Sequence, residues 1–229
     1  RDIWILNYFD NVIPDVTPIS DDKVNLDFVV EEKKSTQRIN ANLGFTGEYG
    51  ITGGAGVEFD NFRGKGQKLN IGASTGTNFS IYTTQEPSKY RSLNISFQDP
   101  MINDSPYLVG ASIFYSFRGS STNYYFPLDF TVGGAVASFG RRLEWPDDFF
   151  RVMWSAKFMQ KEYEGSQSDI DNYIGGLQKT RGISLSQVLS RDSRNRAEFP
   201  TNGSTFILEN TYSGGFLGGN ENFQKHMLT

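Results

Sequence analysis

From Arg38 onward, apolar and polar residues alternate with a period of two, the spacing of a strand with one face in an apolar environment. Ile39, Ala41, Leu43 and Phe45 oppose Asn40, Asn42, Gly44 and Thr46. Ile51, Gly53, Ala55, Val57 and Phe59 oppose Thr52, Gly54, Gly56, Glu58 and Asp60. Leu69, Ile71 and Ala73 stand against Lys68, Asn70, Gly72 and Ser74, and Leu93, Ile95 and Phe97 against Asn94, Ser96 and Gln98. The run 107–117 carries Val109, Ala111, Ile113, Tyr115 and Phe117 on one side. Further strands are predicted over 128–143 (Phe130, Val132, Val136) and 149–163 (Phe150, Val152, Trp154, Ala156, Phe158). Two more fall at 181–193 (Ile183, Leu185, Leu189) and 203–214 (Phe206, Leu208, Tyr212), and a last one starts at Phe223. Gln187 and Val188 interrupt the alternation.

The pattern alone does not say which face is inside. A soluble sandwich would bury Ile39–Phe45, whereas a membrane barrel would turn them to lipid. Many of the runs exceed the usual globular strand length of about 5–6 residues. They also follow one another with little helical sequence between, which favours a closed sheet, the strand architecture that satisfies every backbone group in hydrocarbon. Connections at 46–50, 63–66, 100–106 and 144–148 read as tight, and those at 82–89, 118–127 and 164–180 as longer and polar. Short and long loops are what the two rims of an outer-membrane barrel require. Trp145, Phe149, Phe150, Tyr124 and Tyr125 fall near strand ends, where amphipathic rings favour the membrane interface.

Residues 1–36 have a different character. Ile3, Trp4, Leu6, Tyr8 and Phe9 resemble the last turns of a helix packed by one face. Val12, Pro14 and Val16 suit the start of an edge strand, and Thr17–Asp22 is turn material. Lys23–Glu32 alternates, with Val24, Leu26, Phe28 and Val30 on one side, and predicts a half-buried strand of a small mixed sheet. The polar stretch Glu31–Gln37, centred on Lys33, Lys34 and Ser35, reads as a hinge. A segment this short cannot build its own core, so 1–36 is expected to be the end of a domain begun upstream. The chain opens at Arg1 without a leader pattern, as expected of a segment within a longer polypeptide or behind a removed leader.

Composition narrows the chemistry. The 22 Lys+Arg against 26 Asp+Glu leave a net charge of -4, with no basic stripe of the kind that binds nucleic acid. There is no cysteine, so disulfides and thiolate chemistry are excluded. The single histidine, His226, cannot furnish a common zinc centre, and no metal or cofactor site is expected. No apolar stretch is long enough for a spanning helix, which leaves spanning strands open. Asp147 and Asp148 fit a turn better than an acid/base pair, and 53–56 and 64–66 lack the helix that a phosphate loop needs. The reading is therefore non-enzymatic. Glu58, Asp60, Arg63, Lys68, Asp192 and Arg194 are candidate lumen-lining charges, and Asp192 with Arg191, Arg194 and Arg196 is also a candidate ion-pair network.

Several segments, in order, resemble the Omp85 superfamily, and within it the BamA-like assembly factors of Bacteroidetes-like bacteria. YFDNVIPDV (8–16) followed by KVNLDFVVEEK (23–33) is similar to the end of a last POTRA domain. GVEFDNFRGKGQKLNIG (56–72) resembles a second strand, turn and third strand, and FQDPMIN (97–103) an F-x-D-P strand end. FGRRLEWPDDFF (139–150) and SRDSRNRAEFPTNGSTF (190–206) resemble later barrel segments, the second with Asp192, Arg194, Pro200 and Gly203 in a D-x-R … P-x-x-G pattern. The resemblance implies an all-β fold: the N-terminal part of an antiparallel transmembrane β-barrel (37–229), about nine or ten strands of sixteen, behind the end of an α/β POTRA domain (1–36). No V-R-G-F/Y loop motif is present; Thr180–Ile183 is a poor stand-in, and NFQKHMLT does not read as a closing strand. The rest of the barrel is thus expected as a partner.

The resemblance further implies an outer-membrane location with a periplasmic N-terminal segment. It implies insertion of unfolded outer-membrane client proteins, with lipoprotein subunits and the lipid bilayer as partners. The lateral gate would be the first barrel strand, Ile39, Asn40, Ala41, Asn42, Leu43, Gly44 and Phe45, a short strand whose Asn and Gly residues pack weakly. A relative that secretes polypeptide (two-partner secretion or TamA-like), a passive porin and a soluble β-rich binding module are the alternatives.

Overall fold

The computed structural model describes residues 8–20, 23–33, 37–46, 50–77, 89–120, 126–195 and 199–229. Its strands are β1 (Phe9–Ser20), β2 (Lys23–Glu32), β3 (Gln37–Thr46), β4 (Gly50–Phe62), β5 (Gln67–Thr77) and β6 (Lys89–Asp99). They continue with β7 (Tyr107–Arg118), β8 (Asp129–Arg142), β9 (Phe150–Glu164), β10 (Lys179–Asp192), β11 (Thr205–Ser213) and β12 (Phe223–Leu228). β1 and β2 form a two-stranded sheet, and β3 to β12 form a ten-stranded sheet in sequence order. Every neighbouring pair in the large sheet is antiparallel.

The register converts the period-two pattern into two surfaces. One cross-strand row runs Ile39, Val57, Ile71, Ile95, Ile113, Ala135, Phe158, Ile183. The adjacent row on the other face runs Arg38, Glu58, Asn70, Ser96, Ser112, Val136, Lys157, Ser184, Ser213. A slip of one residue anywhere would exchange these surfaces. The large sheet has register shifts only between β4 and β5, beside Gly50/Ile51 and at the bulge between Phe59 and Phe62. The pairing of β10 continues through Gln187 and Val188, opposite Trp154 and Met153, so the interruption there is one of polarity and not of register.

Strand β8 corrects the sequence reading. Phe130, Val132 and Val136 lie on the face of Ser138 and Gly140, and the apolar row passes through Ala135, Ala137 and Phe139. The Phe114 ring lies directly over Gly134 on that polar face, where an added Cβ would come within 2.7 Å of it. An otherwise polar wall therefore carries an apolar strip here.

The loops also divide differently from the expectation. Antiparallel order brings the ends of β4, β6, β8 and β10, with the connections 63–66, 100–106 and 143–149, to one rim, and the ends of β3, β5, β7, β9 and β11, with 165–178 and 214–222, to the other. β3 thus ends at the rim of the longer connections 165–178 and 214–222; 47–49, 78–88, 121–125 and 196–198 lie outside the described residues. That rim carries α1 (Gln167–Ile174), which the sequence reading treats as loop; Ser166 caps it by accepting a hydrogen bond from the Asp169 N–H at 3.2 Å. Ile170 from α1 and Leu128 are fully buried there, beside an edge-to-face contact of Phe126 with Tyr173.

In the small sheet, β2 matches its predicted bounds, but the pair is a two-stranded antiparallel ribbon and β2 is exposed throughout, not half-buried. Thr17–Ser20, expected in a turn, extend β1, because Pro18 and Thr17 pair with Val24 and Asn25. Asp21 and Asp22 lie outside the described residues, as do Ile3, Trp4 and Leu6 of the expected helix end; Phe9 already belongs to β1. Val12, Pro14 and Val16 share a face with Val30, Phe28 and Leu26, opposite a face bearing Asp15 and Asp27.

The two surfaces make a direct prediction. Ile113→Arg should destabilise the lipid-reconstituted protein by about 2–4 kcal/mol, as for a charge at mid-membrane depth, with Ser112→Arg costing less than about 1 kcal/mol. Urea unfolding in lipid vesicles measures both, and equal effects would contradict the assignment of faces.

Candidate functional site: the first strand and its charge cluster

β3 and β12 are the two edges of the large sheet: within the described residues β3 pairs only with β4, and β12 only with β11. β3 is ten residues long, close to the eleven of β5 and β6, so the expectation of a short strand is not met. What sets it apart is its side chains. Ile39, Leu43 and Phe45 are 80%, 82% and 79% exposed. Across the pairing, Asn40 faces Gly56, Asn42 faces Gly54, Leu43 faces Gly53 and Gly44 faces Thr52. Cross-strand side-chain pairs each add about 0.2–1 kcal/mol over Ala–Ala, and a pair containing glycine forgoes that term. At Gly54 the missing side chain has a use, since a Cβ there would lie 2.6 Å from Asn42 Oδ1. β3 is therefore held to β4 mainly by its backbone ladder.

At the start of β3 a charge cluster forms on the polar face. The Arg38 guanidinium lies 3.1 Å from Glu58 Oε1 and 2.9 Å from Asp60 Oδ2. Arg38 and Glu58 are direct cross-strand partners, and Asp60 follows just before the bulge, only 7% exposed. Lys68 and Asn70 of β5 share with Glu58 a shallow hollow of about 260 Å³ that Gln98, Ser112 and Ser138 continue. Glu58, Asp60 and Lys68 thus lie near one another on this face, with Arg38 paired to the two carboxylates.

The other candidates lie elsewhere. Arg63 sits in the β4–β5 turn at positive φ, its guanidinium 5.3 Å from the centroid of the Phe62 ring. Asp192 and Arg194 form a bidentate pair of 2.8 and 2.7 Å with each other at the exposed end of β10. Arg191 leaves that pair and joins Asp147 at 2.8 Å, tying two neighbouring loops. Arg196 lies outside the described residues.

The ribbon meets the large sheet at this cluster. The Tyr8 hydroxyl donates to the Gly66 carbonyl at 3.1 Å, and the Gly66 N–H donates to Asn61 Oδ1 at 2.7 Å. The Lys33 N–H donates to the Tyr8 carbonyl at 2.9 Å, so Lys33 continues the ribbon's ladder; Lys34 and Ser35 lie outside the described residues. Burial first, and the negative charge of Asp60 second, hold the Tyr8 phenol above its ordinary pKa. Sequence reasoning missed this contact, which joins residues 58 positions apart. It also missed the fold-back of 214–222 onto β10, where Gly219 bridges Gly182 and Glu221 meets Lys161 at 2.5 Å. Nothing local signals either one.

The described strands form an all-β domain, an up-and-down antiparallel sheet apolar over one face and polar over the other. The chain belongs to the Omp85 superfamily: the family model described as the Omp85 superfamily domain matches residues 61–228. Among solved structures, the crystal structure of BamA from Haemophilus ducreyi lacking POTRA domains 1–3 is similar, with a TM-score of 0.59 at 17% identity. The match covers 93% of this chain and 41% of that one, so this chain spans well under half of the structure it resembles. No curated protein matches the sequence.

Two measurements probe the cluster. Arg38→Ala leaves Glu58 and Asp60 without a counter-charge and should destabilise the protein by about 1–3 kcal/mol; adding Asp60→Asn should recover part of that in a double-mutant cycle. The Tyr8 phenol, raised in the folded state, stabilises the docked ribbon at pH below its unfolded pKa, and this contribution is lost as pH rises through the folded value. Ultraviolet titration should show Tyr8 ionising late, and Asp60→Asn should bring it only part of the way down, because burial is the larger cause.

Proposed function

We propose that this chain forms the leading part of an outer-membrane protein insertase, with β3 as the strand of a lateral gate. The reading is supported by the pairing of β3, an edge strand among the described residues whose partners on β4 include Gly53, Gly54 and Gly56. An unpaired edge offers a row of N–H and C=O groups to an incoming strand. An unfolded outer-membrane protein would add to it by β-augmentation, its backbone supplying most of the affinity. Because β3 has few side-chain ties to β4, it can tilt to accept a client strand and release it with modest loss. The reaction moves hydrogen bonds from one partner to another and calls for no cofactor or covalent step.

The polar face then lines a wet lumen. Arg38, Glu58 and Asp60 anchor the base of β3 while its far end moves, and the segment at Lys33–Ser35 acts as the hinge to the ribbon, read as the end of a POTRA domain in the periplasm. Asp192 and Arg194 line the periplasmic mouth with Arg63 at its rim. Lipoprotein subunits, the lipid bilayer and the remaining barrel strands are the partners of this reading.

In the complete protein, a disulfide between β3 and the last barrel strand should stop insertion of a client barrel into vesicles, and reduction should restore it. Normal insertion with the seam locked would falsify the gate. Gly53→Val adds a side-chain contact beside Leu43 and should slow insertion several-fold while stabilising the β3–β4 pairing by about 0.5–1 kcal/mol.

A further inference from the structure

We infer that Arg141 and the aromatic row beside it form a docking site for the phosphodiester of a phospholipid in the periplasmic leaflet. The inference rests on reading the apolar face as the lipid-facing one. Arg141 is the last position of β8 on that face, in the row Tyr107, Arg141, Val152, Leu189, Leu208. Its neighbours toward the sheet centre are apolar, Phe139 two residues along β8 and Trp154 on β9.

Depth argues for an interfacial position. Ala135, at the middle of β8, lies six residues from Arg141. At about 3.3 Å per residue and a strand tilt of about 40°, that is roughly 15 Å along the membrane normal, half of a hydrocarbon core of about 30 Å. The guanidinium therefore sits where acyl chains give way to phosphate.

The side chain is held and left unneutralised. Its guanidinium carbon lies 5.5 Å from the Tyr107 ring centroid, and Tyr107 stacks on Phe139 at 5.5 Å, which in turn stacks on Trp154 at 6.0 Å. This platform restricts the long side chain, so less freedom is lost on binding. Nε donates a long bond of 3.4 Å to the Arg142 carbonyl. Among the described residues no carboxylate pairs with Arg141. Arg191 at the same rim is the contrast, neutralised by Asp147 and also bonded to Ser193 and Ser204. The nearby carboxylate of Asp99 is engaged by Gln67 and the Met101 N–H. Glu144 is exposed in the following loop, as is Trp145, 83% exposed. A free planar guanidinium favours bidentate contact with phosphate oxygens, and exposed rings beside it suit the headgroup level.

The test is native mass spectrometry of the full-length protein, released from detergent with dioleoyl phosphatidylglycerol. Wild type should retain the lipid, Arg141→Gln should retain it about 5–10-fold less, corresponding to about 1–1.4 kcal/mol, Arg141→Lys should fall between, and Arg191→Gln should match wild type. Heat-modifiable gel migration establishes that each variant is folded. Equal retention by folded Arg141→Gln overturns the site, as does displacement of the lipid by millimolar inorganic phosphate alone. Absence of retention by a wild type that still inserts into phosphatidylglycerol vesicles overturns the site and leaves the membrane reading intact. Failure of wild type to partition into vesicles overturns the membrane reading beneath it.

Discussion

The backbone ladder carried in one register from β3 to β12 is the constraint on which everything else in this structure depends. In hydrocarbon no water can satisfy an unmade N–H or C=O bond, so a spanning strand needs its backbone groups paired along the ladder. That demand explains why the strands run long, why consecutive strands pair in simple up-and-down order, and why irregularity is confined to the ends of β4. It also explains why side chains can be sparse. The backbone holds the wall, which frees Gly54 to accommodate Asn42 and Gly134 to accommodate the Phe114 ring.

The same constraint gives β3 its significance. Over Asn40–Gly44, where four of the five cross-strand pairs contain glycine, β3 is secured mainly by backbone bonds. The charge cluster at its base has the opposite character. Arg38, Glu58 and Asp60 are tied by geometry as well as charge, and Tyr8 extends the network from the ribbon to the β4–β5 turn. One end of β3 is thus pinned while the other is lightly held, an arrangement suited to pivoting rather than dissociation.

At the rim that carries 143–149, the arginines divide their labour. Arg191 crosses between two loops and is consumed by Asp147, Ser193 and Ser204, whereas Arg194 closes on Asp192 within its own loop. Arg141 has no carboxylate partner among the described residues and is steadied by the Tyr107 ring.

The sequence by itself determined the class of fold and nearly every strand, because period-two alternation is a local property written in Ile39–Phe45, Ile51–Phe59 or Leu93–Phe97 without reference to the rest of the chain. It also marked Glu58, Asp60 and Lys68 as one set, since alternation puts them on the polar side. Where the local signal weakened, the reading weakened with it: in β8 the small Ala135 and Ala137 occupy the apolar face and the larger Val132 and Val136 the other, so size misled. Only the tertiary structure could decide what depends on residues distant in the chain: Tyr8 against Gly66, Gly219 beside Gly182, Arg191 with Asp147. Which strand stands at the edge, and which arginines find a carboxylate among the described residues, are likewise properties of the assembled sheet. Pairing between distant segments is chosen by register and closure, and neither leaves a trace in a window of neighbouring residues.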